Sequence, residues 1–465
     1  MSFDLSNKNY LLLISFPVLI TLLLLEQLFL LIPILIIIFF AYNKPKPYLI
    51  ILSFVALITL TSGLGEGQRL IVQVAAIASL LLFFIYNFGL DFSKYPKVPV
   101  QILYLISFII FTIVFSLLFT DYLSLGIAQL IRSLIFFFIV YLYYSLLTDY
   151  SDIKYFLYAL FIGALFYFVI IFYEVVKADF NIIYLNQSLI LEEGNSFIHR
   201  NAIGGFFSIG ISIGIAFLVS PNHNRFPKRY IYLFVFLLLS GLILTNSRAA
   251  ILSILFSVVY ILFKENKKSL LYLAVSILFL LPLLWINPFA ETIDLYFRLE
   301  RVTTGRDFIL ETVANIISKN PLIGIGPAAT KFEFYNNIPY LIGSPQELFL
   351  RKVVNQIEFG QAHNFYLFLY TDLGILGLIT SILIPFSFLK IGNRLMIETK
   401  QNDNSIYPLV LGIQGAGIAL FIRGLFEWAG IFSYGTITYD LPFWWIFSLL
   451  IFLYQKIIIE KQKLL

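Results

Sequence analysis

The sequence contains no cysteine, which rules out disulfides and thiolate metal sites. It contains three histidines, and no aspartate is followed two residues later by another, so the acidic pair that often holds a divalent metal is missing. Charge is scarce: only 12% of the 465 residues are charged, too few to coat a water-facing globule of that length. The net charge of +5 is scattered over short loops and makes no basic patch for nucleic acid. What fills the chain is apolar residues, at 60%, in recurring runs of the length that spans a hydrocarbon core, about 20 residues at 1.5 Å each. The runs lack the period-two alternation of a barrel, and helices satisfy their own backbone hydrogen bonds in lipid. The chain therefore reads as an all-α polytopic membrane protein.

The apolar run from residue 10 to 42, broken only by Glu26-Gln27, is too long for one span and reads as two short spans or a hairpin. It lacks a small-residue cleavage site, so a retained helix is expected instead of a removed signal peptide. Further spans are expected near 48–63, 69–88, 99–119, 125–147, 154–176, 201–219, 230–245, 249–263 and 269–286, then 364–389, 406–424 and 441–459, about 12 to 14 helices in all. Three regions follow: N-terminal transmembrane helices over 1–286, one long outward loop with amphipathic helices over 287–363, and C-terminal transmembrane helices over 364–465. Under this count Lys44, Lys46, Lys94, Lys97, Lys228, Arg229, Lys264, Lys390, Arg394 and the C-terminal lysines fall on one side. By the positive-inside rule that side, with both termini, is cytoplasmic.

The long interval and its neighbours then face outward, and the residues with chemical potential gather there. Arg248, in Thr245-Asn246-Ser247-Arg248-Ala249-Ala250, opens a span at the outer boundary. It either snorkels to lipid phosphate or offers a guanidinium fork to the phosphate of a lipid substrate. Arg306 opens an amphipathic helix in which Thr304 and Asp307 have capping-box spacing and Ile309, Val313, Ile316 and Ile317 form an apolar stripe. That helix either lies on the membrane or packs across the mouth of the bundle, and its N-terminus favours an anion. His363 stands where the long interval meets the next span; it is either a general base or an interfacial histidine bonded to backbone. His199 and His223 are weaker candidates. Arg132 sits inside a span and must face a partner or a watery cavity. Arg423 and Glu427, four residues apart, can pair with each other.

Taken in order, Thr245-Asn246-Ser247-Arg248-Ala249-Ala250, Gly305-Arg306, Asn320-Pro321-Leu322-Ile323-Gly324-Ile325-Gly326-Pro327, Ala362-His363-Asn364-Phe365-Tyr366-Leu367 and Asp372-Leu373-Gly374-Ile375-Leu376-Gly377 resemble the O-antigen ligase and polymerase superfamily. The resemblance covers roughly residues 240 to 390; Asn246 departs from it, standing where the family frequently has glycine. It implies a fold similar to the polytopic lipid-dependent glycosyltransferases of the bacterial inner membrane. It further implies transfer of a glycan from a polyprenyl diphosphate carrier to an acceptor hydroxyl of a glycan, lipid or protein, on the periplasmic side. In that reading His363 activates or orients the acceptor, Arg248 and Arg306 hold the diphosphate, and Arg200 and Arg132 are secondary phosphate contacts. Neither metal nor other cofactor is expected. Two other readings stand beside it. A flippase of lipid-linked glycans would need charges lining both leaflets, and a scaffold would leave the arginine and histidine positions tolerant of change.

Overall fold

The computed structural model describes residues 46–59, 66–89, 91–177, 200–220, 228–280, 306–339, 362–402 and 405–459. The 10–42 run with Glu26-Gln27, His199, His223 and Thr304 lie outside them, as do 281–305 and 340–361. Among the described residues there is no strand. The helices, in chain order, are α1 (Lys46–Thr59), α2 (Glu66–Phe88), α3 (Val100–Leu117), α4 (Leu123–Leu146), α5 (Ile153–Lys177), α6 (Arg200–Val219) and α7 (Lys228–Leu244). They continue with α8 (Arg248–Glu265), α9 (Lys267–Leu280), α10 (Arg306–Lys319), the single turn α11 (Thr330–Glu333), α12 (Phe365–Asn402), α13 (Tyr407–Arg423) and α14 (Ile437–Tyr454). Six of the described helices are long and apolar enough to cross a membrane, and the protein is an all-α, multi-pass membrane protein.

The centre of the bundle is α14, buried continuously from Asp440 to Tyr454. Its tryptophans carry much of the packing. Trp445 lies against Phe54, Tyr143 and Phe156 and donates its indole N–H to the Phe156 carbonyl at 3.2 Å. Trp444 packs edge-on to Phe136 and Phe137 and donates to the Ile431 carbonyl at 2.8 Å. Burying an indole is favourable only when its N–H finds an acceptor, and both do. On the other side α13 wedges between α6 and α8, and small residues make that possible. A Cβ on Gly412 would lie 2.7 Å from the Ile213 Cα, and the Ser212 and Ser257 hydroxyls meet at 2.7 Å between α6 and α8. Such close backbone approach with polar cross-links is how helices associate where lipid supplies no hydrophobic drive.

The polar contacts sort to two ends. At one, Lys46 meets Asp152 at 2.7 Å, the Tyr144 hydroxyl reaches the Lys97 carbonyl and Gln455, Arg394 donates to the Tyr454 hydroxyl, and Lys400 stands 3.8 Å from Glu265. These are the lysine-rich loops that the charge pattern groups on one side. The helix ends bearing Arg200, Arg248, His363 and Arg423 are at the other.

At that second end lies α10, with Phe308, Ile309, Thr312, Val313 and Ile316 buried and Leu310 and Glu311 turned out. It packs against α12 and, through the Phe308–Phe334 ring contact, against the segment that follows it. Its apolar stripe is thus packed against protein.

Candidate functional site

Two glycine-containing motifs build the frame of the site by docking on each other. α12 is interrupted at Gly374, whose φ of 63° and ψ of −153° are not helical. The break frees backbone groups that would otherwise close the helix, and the Asn320–Pro327 turn takes them up. Ile325 N–H donates to the Thr371 carbonyl at 3.2 Å, Gly326 N–H to the Asp372 carbonyl at 2.8 Å, and Ile375 N–H to the Leu322 carbonyl at 3.2 Å. The approach is too close for side chains: a Cβ on Gly324 would sit 2.4 Å from the Asp372 carbonyl oxygen, and one on Gly374 would sit 2.3 Å from that of Leu322. Both glycines also have positive φ, a conformation open to glycine at little cost. The buried Asp372 carboxylate then gathers the next turn, accepting from Ala328 N–H at 2.9 Å, from the Thr330 N–H and hydroxyl, and from the Tyr434 hydroxyl at 2.9 Å.

The adjacent Ala362-His363-Asn364 step has its own division of labour. Asn364 caps α12, its side-chain oxygen accepting from Tyr366 and Leu367 N–H at 2.9 and 3.0 Å, while its amide donates to the Leu425 carbonyl at 3.0 Å. Phe365 N–H donates to the Gly424 carbonyl at 2.7 Å, so the start of α12 is clamped to the end of α13. The clamp holds His363 at a φ of 45°, uncommon for a side-chain-bearing residue, and aims its ring at Glu427. Nδ1 lies 3.8 Å from the Glu427 Oε2, within ion-pair range and beyond a direct hydrogen bond, and has no hydrogen-bond partner among the described residues. The histidine side chain is 26% exposed and the glutamate 4%, so one faces outward and the other backs it from inside.

Glu427 is fixed in turn. Its other oxygen accepts from the Asn201 amide, whose own oxygen accepts from the Ser247 hydroxyl at 2.7 Å. Ser247 is the N-cap of α8, receiving Ala250 N–H at 3.4 Å, and Arg248 is the first residue of that helix. Close packing of α6 on α8 permits this chain, since a Cβ on Gly204 would lie 2.6 Å from that of Ala250. One polar chain therefore links His363 through Glu427 and Asn201 to the helix starts that carry Arg200 and Arg248. Asn246 takes a φ of 51°, in the left-handed region where glycine is at home and asparagine is tolerated, which gives a backbone reason for the departure from the family pattern.

Arg248 is half-buried. For Arg200 and Arg306 the structure describes backbone position alone: each opens its helix at this end of the bundle. Arg423 and Glu427 do not share a helix, because α13 stops at Arg423 and Glu427 lies in the loop beyond, yet the two still interact electrostatically, as the pairing expected. Arg423 is enclosed between Gly205 and Gly430, its Nη1 donating to the Ala429 carbonyl at 3.1 Å, with Glu427 in electrostatic reach. Arg132 is not joined to the histidine chain by the bonds described; Nε and Nη2 donate to the Tyr434 and Ser433 carbonyls, each at 3.0 Å. That loop is also held by Asp440, which accepts from Gly430 N–H at 3.1 Å and from the Ser433 N–H and hydroxyl. Burial and the neighbouring Asp372 carboxylate push the Tyr434 phenol well up, so it stays a proton donor to that carboxylate. Asn201 carried no signal that sequence spacing detects; Glu427 stood out only for its spacing from Arg423, and Asp372 only within the Asp372–Gly377 motif. Among the described residues no three histidine, aspartate or glutamate side chains gather as a ligand set.

Fold and site together define a helical, multi-pass membrane protein that concentrates a histidine, a buried carboxylate and helix-opening arginines at the end of the bundle opposite its lysine-rich loops. Residues 233–382 match the family model described as O-Antigen ligase, so that stretch is similar to the O-antigen ligase and polymerase superfamily. The match spans Arg248, Arg306, both docked glycine motifs and His363, whereas Asn201 and Glu427 lie outside it. No curated protein matches the chain.

Proposed function

We propose that the protein is a glycosyltransferase of the bacterial inner membrane that moves a glycan from a polyprenyl diphosphate carrier to an acceptor hydroxyl, as ligase or polymerase, on the outer side. The observation that carries this reading is the His363–Glu427–Asn201–Ser247 chain, which ties a reachable imidazole to the helix starts that bear Arg200 and Arg248. His363 Nε2 takes the proton of the acceptor hydroxyl as its oxygen bonds to the anomeric carbon. The anomeric carbon–oxygen bond breaks, its electron pair leaving on the diphosphate. Glu427, beside Nδ1, favours the tautomer that leaves Nε2 free and stabilises the imidazolium that forms. Arg248 and Arg306, with Arg200 beside them, hold the diphosphate, and their fixed charges act most strongly as negative charge builds on the leaving group. No step calls for a metal.

The test is glycan transfer in liposomes supplied with a polyprenyl diphosphate-linked oligosaccharide, comparing the parent with His363→Ala, Arg248→Ala and Arg306→Ala, with EDTA in parallel. Loss of the new glycosidic bond in all three at equal protein level, with EDTA harmless, is the expected result. Full activity in the variants would overturn the assignment. Movement of the lipid across the bilayer with no new bond would indicate a flippase instead.

A further inference from the structure

Next to Trp428, the residue after Glu427, is an open cavity with ≈ 500 Å³ of empty space, lined by Gln129, Arg132, Thr330, Lys331, Trp428 and Tyr434, among others. Three features distinguish it from a packing defect. Arg132 and Lys331 bring two cations to it, and no carboxylate is among the residues that line it; Asp440, in electrostatic reach of Arg132, stands behind the lining with its oxygens taken by Gly430 and Ser433. Gln129 is 9% exposed, yet its side-chain oxygen has no hydrogen-bond partner among the described residues, and a buried acceptor left in that state calls for a ligand group that donates to it. Trp428 and Phe368, with ring centroids 5.2 Å apart, form an apolar wall of the kind on which one face of a sugar ring can lie. Arg132 spends two of its nitrogens on backbone carbonyls, so its position is fixed before any ligand arrives, and the remaining Nη1 is the atom left for an anion.

We propose that this cavity is a glycan subsite that takes an acidic sugar residue, with the sugar's carboxylate between Arg132 and Lys331, a ring hydroxyl donating to Gln129 and the ring against Trp428. The pairing of cations with an aromatic wall and an orphan amide favours an acidic sugar over a bare phosphate, which has neither a ring to stack nor ring hydroxyls to donate. The same cations can meet a lipid phosphate, because Ile131, Leu134 and Ile135 around Arg132 are exposed apolar residues of α4. The assignment rests on the glycan-transfer reading for its biological sense, although binding is measurable without transfer.

The experiment is equilibrium binding to the full chain in nanodiscs of uncharged phosphatidylcholine, using a glucuronic acid-containing disaccharide, its methyl ester and inorganic pyrophosphate. The acid is expected to bind at least tenfold more tightly than the ester. Lys331→Gln should weaken the acid alone by about tenfold, and Gln129→Leu should weaken both sugars, each with unchanged thermal stability. Equal affinity for acid and ester, insensitivity to both substitutions, or tighter binding of pyrophosphate at Lys331 would overturn the proposal. His363→Ala is expected to bind the acid as the parent does. Binding without transfer by the parent would contradict the transferase reading alone, whereas transfer with no preference for acidic glycans would contradict this inference alone.

Discussion

At the scale of single residues, the account depends on a division of labour between His363, which is reachable, and Glu427, which is not. A general base contributes on the order of 10²- to 10⁴-fold, so His363→Ala is expected to lower the rate of transfer by that much while leaving the protein folded. Glu427→Gln keeps the shape and the possibility of a bond to Asn201 but removes the charge beside Nδ1; a fall in rate of about tenfold or more is expected, read as kcat at saturating acceptor. Wild-type kcat in Glu427→Gln would mean that the carboxylate only fills space. Asn246 makes a separate prediction from backbone alone. With φ at 51°, Asn246→Gly should be tolerated and Asn246→Val should destabilise by about 1–3 kcal/mol, measured as a shift in thermal midpoint of the purified protein.

At the scale of elements, the docking of the Asn320–Pro327 turn into the broken α12 is the joint that holds the site's frame. Gly324→Ala and Gly374→Ala each place a Cβ against backbone oxygen, at 2.4 and 2.3 Å, where neither neighbour can rotate away. Both are expected to cost more than the roughly 1–3 kcal/mol of positive-φ strain by itself, with loss of thermal stability and of folded yield. Gly89 provides the control: its φ is 63°, but a Cβ there meets nothing within 4 Å, so Gly89→Asn should be nearly silent. Much of this level was legible in advance. Spans expected near 99–119, 125–147, 201–219 and 406–424 match Val100–Leu117, Leu123–Leu146, Arg200–Val219 and Tyr407–Arg423, because a run of apolar residues flanked by charge has few alternatives in lipid. The apolar stripe of α10 was equally clear from its spacing. The interruption of α12 was not, since the Asp372–Gly377 motif by itself does not say that Gly374 leaves the helix, and only its docking partner, about 50 residues away in sequence, explains it. The site was half legible for the same reason. Histidine and arginine stand out in an apolar chain, whereas the Asn201–Glu427 bond joins residues 226 apart and exists only once α6, α8 and α13 have packed. Local spacing suggested that Glu427 belonged with Arg423; the two do interact, but from helix end and loop, and Asn201 as a further partner of Glu427 was out of its reach.

At the scale of the whole molecule, the two ends of the bundle differ in kind: lysines and tyrosines cross-link one, and the histidine chain, α10 and the Arg132–Trp428 cavity occupy the other. The absence of native cysteine makes this directly testable, since any introduced thiol is labelled without background. Leu322, 68% exposed, and Lys331 lie at the site end, whereas the exposed Lys94 and Lys228 lie at the lysine-rich end. A membrane-impermeant maleimide is expected to label Leu322→Cys and Lys331→Cys on intact spheroplasts, and Lys94→Cys and Lys228→Cys only after permeabilisation. Labelling in the reverse pattern would put the site on the cytoplasmic side and contradict the positive-inside assignment.

The central claim is that one end of the bundle holds a divided site, with arginines for the diphosphate and the histidine for the acceptor. Its most direct test is binding of radiolabelled polyprenyl diphosphate-linked oligosaccharide to the purified protein, followed by addition of acceptor and measurement of a single turnover. His363→Ala is expected to bind the donor like the parent and fail to transfer it, and Arg248→Ala is expected to lose donor binding. Loss of donor binding in His363→Ala, or normal transfer from it, would contradict the division.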